Sequence, residues 1–186
     1  VTRVRDRKAE RLRDDLADFV ADAEGADVAF IYYACHGIEA AGENWLVPVD
    51  VDPQSPGFAE ALIGVSPIIE ALSGTVPLTF FFLDACRDNP FPEGTLLRRE
   101  GADYPITASG LDLPRSAKAL DVGGAPQEAA GGAAGTAIGY AAEPGHAALD
   151  GPAGGNSYYA AALARHLDAS VSVEFATVMR LITEEV

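Results

Sequence analysis

Two short segments carry the side chains best suited to chemistry. Tyr32-Tyr33-Ala34-Cys35-His36-Gly37 delivers an imidazole, and Leu83-Asp84-Ala85-Cys86-Arg87 delivers a carboxylate and a thiol, with His36 50 positions before Cys86. A free cysteine has a pKa of about 8.5, so near neutral pH most of it is the weakly nucleophilic thiol. A neighbouring imidazole can accept that proton and later return it to a leaving amine. His36 and Cys86 are therefore the candidate catalytic pair. Gly37 lets the backbone approach a substrate closely, so its N–H and that of Cys86 are the candidate oxyanion donors.

Such a pair must be held by rigid arms. Residues 28–34 form a continuous apolar, β-branched and aromatic run, as do residues 77–84, and each reads as a strand covered on both faces. In a parallel α/β sheet the active crevice lies at the carboxyl ends of the strands, which is where His36 and Cys86 would then stand. Residues 136–142 read as a third buried strand, and Pro48 gives residues 45–49 the character of an edge piece. Leu12, Leu16, Phe19, Val20 and Ala23 recur at helical spacing ahead of Gly25. Ser66-Pro67 reads as an N-cap opening a helix that Gly74 closes, and Asn156 as the cap of another. Phe175, Val178, Met179, Ile182 and Val186 make the inner stripe of a last helix.

Buried strands alternating with helices predict an α/β domain with a mostly parallel sheet flanked by helices. A chain of 186 residues, 48% hydrophobic, suits one domain spanning 1–186. Residues 90–135 lack sustained periodicity, and a segment of that length without elements is expected to be a functional or flexible loop.

The formal net charge of −15 argues against nucleic acid or an anionic membrane as partner. Six of the thirteen Lys and Arg fall in the first thirteen residues, whereas residues 14–86 hold thirteen Asp and Glu and no Lys or Arg. That acidic stretch suits solubility or the attraction of cationic ligands. Two cysteines are too few for a disulfide scaffold, and no apolar run approaches the roughly 18 residues of a membrane span. A cytoplasmic location is the expectation, although the start lacks an initiator Met and looks truncated.

The segments ending in His36-Gly37 and containing Cys86 resemble the two catalytic motifs of caspase-like cysteine peptidases, which place a histidine about 50 residues upstream of the cysteine. Residues 139–151, Gly-Tyr-Ala-Ala-Glu-Pro-Gly-His-Ala-Ala-Leu-Asp-Gly, look like the strand and loop after the intersubunit linker in bacterial caspase homologues and paracaspases. The resemblance runs from about Asp27 to the end, and it casts residues of about 90–135 as the flexible intersubunit-type loop. The family's first strand has no counterpart before Val1, and the strand expected after the last helix is missing beyond Val186. The chain thus resembles a fragment of the catalytic domain, with a homodimer or association with the missing part as the implied assembly. Cys35 stands where relatives usually have Gly, and packing is its expected role rather than redox partnership with Cys86.

The resemblance also bears on specificity. True caspases have Gln two before the cysteine and cut after Asp. Asp84 holds that position here, as in metacaspases and paracaspases, which cut after Arg or Lys. Asp150 matches a second acidic pocket residue of paracaspases. A cysteine endopeptidase acting on protein or peptide substrates with Arg or Lys before the scissile bond is therefore implied. Arg115 and Lys118 are the expected self-cleavage sites, because flexible exposed loops are where nicking concentrates.

The rival functions are a catalytically silent scaffold of the same fold and a phosphoryl-accepting signalling module built on Asp84. The latter needs an acidic cluster for Mg²⁺ and usually a lysine, and residues 14–86 contain no lysine. Asp50 and Asp52 could face the active-site mouth or hold a cation, yet they also read as a turn. No zinc pattern is present, no metal or cofactor is expected, and calcium dependence has no clear motif behind it.

Overall fold

The computed structural model describes residues 1–85, 90–106, 135–142, 148–169 and 173–186. Helix α1 (Ala9–Asp22) is the first element, and Gly25 turns the chain out of it at φ +78°. Strand β1 (Val28–Ala40) follows and is six residues longer than its apolar run predicts, passing straight through Cys35-His36-Gly37. Ala41 and Gly42, both at positive φ, then reverse the chain into β2 (Glu43–Val47). A short helix α2 (Phe58–Ala61) and the two-residue β3 (Ile63–Gly64) lead to α3 (Val65–Ser73). Next come β4 (Leu78–Ala85), the hairpin strands β5 (Leu96–Arg99) and β6 (Ala102–Pro105), and β7 (Gly135–Tyr140). Helices α4 (Tyr158–Ala169) and α5 (Phe175–Glu185) close the chain.

The main sheet runs in the order β3-β2-β1-β4-β7. β1, β4 and β7 are parallel, whereas β2 and β3 add as antiparallel strands beyond β1. The domain is thus mixed α/β with a mainly parallel central sheet flanked by helices, as the sequence pattern predicts. β1 changes partner along its length, pairing with β4 over Val28–Cys35 and with β2 over His36–Ala40.

Each face of the sheet has its own cover. Ile31, Tyr33, Phe81, Leu83 and Ile138 pack beneath α1 and α3, with Leu12, Ile69 and Leu72 from the helices. Phe82 lies on the opposite face beneath Tyr159, Leu163, Val178, Met179 and Ile182 of α4 and α5, flanked by Phe80 and Phe175. This second cover does not reach across β1, whose Val28, Phe30 and Tyr32 stay exposed. α1 is the only described element before β1, and no described strand pairs with the second edge of β1 over residues 28–35.

Several local expectations are corrected. Residues 45–49 do not form an edge: β2 ends at Val47, immediately before Pro48, and β3 pairs along its outer side. Ser66 does not cap α3. Gly64 holds the cap position, and the orphan N–H groups of Val65 and Ser66 are taken by Glu43 Oε1 at 3.1 and 3.0 Å. A carboxylate from a neighbouring strand thus completes the helix start, favoured there by the helix dipole. Ser157 rather than Asn156 caps α4, its Oγ accepting from the Ala160 N–H at 2.9 Å. Val186 lies exposed, off the buried stripe of α5.

Part of the 90–135 segment also has structure. β5 and β6 pair as a hairpin, Arg99 stacks over Trp45 with its guanidinium carbon 4.8 Å from the ring centroid, and Leu97 and Ile106 join a satellite core with Ile38 and Trp45. Residues 107–134 lie outside the described residues.

Candidate active site

The strand register explains the 50-residue spacing. Ala34 pairs with Asp84 and Cys35 with Ala85, so the residues immediately preceding His36 and Cys86 are partners across β1 and β4. Cys86 itself lies outside the described residues. His36 is exposed and is not at a strand terminus, contrary to expectation; it stands where β1 leaves β4 and joins β2, opposite Val47. The carboxyl end of β4 is nevertheless at this point, so His36 still borders the sheet crevice.

Tyr33 fixes that crossing point. Its phenol lies 3.0 Å from the His36 carbonyl and 3.2 Å from that of Val47, and it accepts the Val47 N–H at 3.2 Å. Burial foremost, and then neighbouring Cys35, push this phenol far above the usual range, so it remains a donor. Cys35 is half-buried beside it, with Sγ 3.6 Å from the Val47 carbonyl, consistent with packing at the β1–β2 junction. Gly37 is buried within β1 and paired with Leu46.

Asp84 is a buried carboxylate, only 7% exposed, on the same sheet face as Phe82 and α4. Two hydroxyls donate to its Oδ2: that of Tyr32, two residues earlier in register on β1, and that of Ser157 at the start of α4. Burial and the Asp84 charge push the Tyr32 phenol well above its ordinary range. The Tyr159 phenol rises likewise, through burial and then the charge of Asp84, and its buried hydroxyl has no hydrogen-bond partner among the described residues.

Close packing brings α4 to this position. Gly139 of β7 pairs with Phe82, and a Cβ there would lie 2.5 Å from Phe82 Cδ1 and 2.6 Å from Tyr159 Oη. Only glycine permits the approach that sets Tyr159 and Ser157 beside Asp84. Sequence reasoning missed Tyr32, Ser157 and Tyr159. The one legible signal was for Tyr32, which stands with Tyr33 within three residues of Cys35-His36.

The other expected site residues are dispersed. Asp150 is exposed on the loop before α4, and among the described residues no hydrogen bond or ion pair joins it to Asp84. Arg115 and Lys118 lie outside the described residues. Asp50 and Asp52 each hold a backbone N–H: Asp50 Oδ1 accepts that of Ala9 at the start of α1 at 2.8 Å, and Asp52 Oδ1 accepts that of Gln54 at 2.9 Å. No group of three or more metal-ligating side chains occurs among the described residues, and no described helix is long and apolar enough to cross a membrane.

No curated protein matches the chain. The family model of the caspase domain matches residues 1–186, its whole length. On that match, and with a mainly parallel sheet flanked by helices, the chain belongs to the caspase domain family of cysteine peptidases.

Proposed function

We propose that this domain is a cysteine endopeptidase that cleaves protein or peptide chains after Arg or Lys. The observation that carries the preference is Asp84, a buried carboxylate oriented by two hydroxyl donors beside the segment that leads into Cys86. Burial strengthens its attraction for a substrate cation, since water screens the pair poorly there. Asp150, exposed on the neighbouring loop, adds a weaker and solvent-screened attraction.

In the reaction, His36 accepts the proton of the Cys86 thiol, and Sγ attacks the carbonyl carbon of the scissile bond. The Gly37 and Cys86 N–H groups serve as donors to the resulting oxyanion. The C–N bond breaks as His36 returns the proton to the leaving amine, leaving a thioester. Water, deprotonated by His36, then attacks the thioester and releases the acid product and the thiol. No metal or cofactor enters these steps.

Labelling with electrophilic peptides ending in Arg or in Asp is the deciding experiment. Modification of Cys86 by the Arg probe, with little by the Asp probe, is expected. Absence of labelling by both would favour the silent scaffold, and preference for Asp would refute the role of Asp84.

A further inference from the structure

The Asp84 cluster contains more than a cation site needs. A carboxylate oxygen offers about two acceptor directions. Asp84 Oδ2 receives both the Tyr32 and the Ser157 hydroxyl, so it is fully occupied. Among the described residues, no hydrogen bond reaches Oδ1.

Both donors are held from behind. Ser157 Oγ also accepts the Ala160 N–H at 2.9 Å, so the cap of α4 locks the hydroxyl that it offers to Asp84. Tyr32 is fixed by β1 register opposite Phe82, and at 38% exposure its ring walls the cluster toward solvent. The Tyr159 hydroxyl, on a residue 5% exposed, has no hydrogen-bond partner among the described residues and feels the charge of Asp84.

We infer that Tyr32 and Ser157 are specificity-setting positioning residues: by filling Asp84 Oδ2 they leave Oδ1 alone to meet the substrate side chain, which denies arginine its two-pronged contact. A guanidinium gains over an ammonium mainly by forming two parallel N–H···O bonds to both oxygens of a carboxylate. With one oxygen occupied, both cations are restricted to Oδ1. The site therefore accepts Lys nearly as well as Arg, and loss of either hydroxyl opens Oδ2 and favours Arg. This inference rests on the assignment of Asp84 to the substrate cation proposed above.

The test is calorimetric binding to the Cys86→Ala protein, which needs no turnover. Two peptides are used, identical except for a C-terminal Arg or Lys, with a third ending in Gln as the neutral reference. The parent should bind Arg and Lys peptides within about threefold of each other, and Tyr32→Phe and Ser157→Ala should each raise the Arg preference about fivefold, the effect of roughly one added hydrogen bond. Ser157→Thr, which keeps both cap and hydroxyl, should restore the parent ratio. Equal loss of both affinities with an unchanged Arg/Lys ratio would show a merely structural role and overturn the inference. Asp84→Asn tests the underlying assignment separately. If it leaves the basic peptides favoured over the Gln peptide, or if the parent shows no such preference, the Asp84 assignment itself fails.

Discussion

Gly139→Ala probes the contact that seats α4 over the sheet. The new methyl would lie 2.5 and 2.8 Å from Phe82 Cδ1 and Cε1, and 2.6 Å from Tyr159 Oη. Comfortable carbon contacts begin near ~3.5 Å, so these groups must withdraw by about 1 Å. Neither can swing into solvent, because Phe82 is 1% exposed and packs against Phe30 and Phe175 at centroid distances of 4.9 and 6.4 Å. Overpacking of this kind costs about 1–3 kcal/mol. Contacts this short place the cost at the upper end, about 2–3 kcal/mol; alanine is better than glycine within a strand by about 0.5–1 kcal/mol, which leaves a net loss of about 1–2.5 kcal/mol. Urea unfolding should show an unchanged slope and a midpoint lowered by about 0.5–1 M. Tyr159→Phe removes one of the atoms the methyl meets. It should be near neutral alone, because its hydroxyl has no partner among the described residues, and should relieve Gly139→Ala by at least about 0.5 kcal/mol in the double variant. An unchanged midpoint in Gly139→Ala, or strictly additive effects in the pair, would refute the packing account.

Cys86→Ala and His36→Ala should each abolish peptide hydrolysis with the fold retained, and the double variant should be little worse than either, since the pair acts as a unit. Asp84→Ala should lower kcat/KM on Arg substrates by about 10²–10³-fold, because it strands the substrate's charge in a buried site. Asp150→Ala should cost less, as its carboxylate is exposed. Buried Tyr33 and Tyr159 have folded-state pKa values raised above those of the unfolded chain, chiefly by burial. Stability should therefore be indifferent to them below about pH 10 and fall above it, by up to about 1.4 kcal/mol per pH unit for each. Tyrosinate absorbance during alkaline unfolding checks this, and ionisation near pH 10 in the folded protein would refute it. Self-cleavage should occur after Arg115 or Lys118, and N-terminal sequencing should find the same nick absent from Cys86→Ala.

The local signals along this chain were strong where a single residue's chemistry decides structure. Long apolar runs specify the cores of β1 and β4 because a strand buried on both faces must be apolar throughout. The two motifs 50 residues apart were legible because a parallel register transmits sequence offset directly into spatial pairing. β1 continues through His36 for a reason no local propensity carries: the turn that pairs it with β2 uses Ala41 at φ +61°, where alanine is a poor predictor. Glu43 of β2 caps the start of α3 from 22 and 23 positions away, and Ser66-Pro67 offered a nearer but unused cap. Tyr32 and Ser157 reach Asp84 from 52 and 73 positions away, the first set by β1 register and the second by where α4 rests on the sheet. Residue types therefore identified the carboxylate at the end of β4, while tertiary packing alone decided which of its oxygens is occupied, because that depends on elements meeting across the sheet.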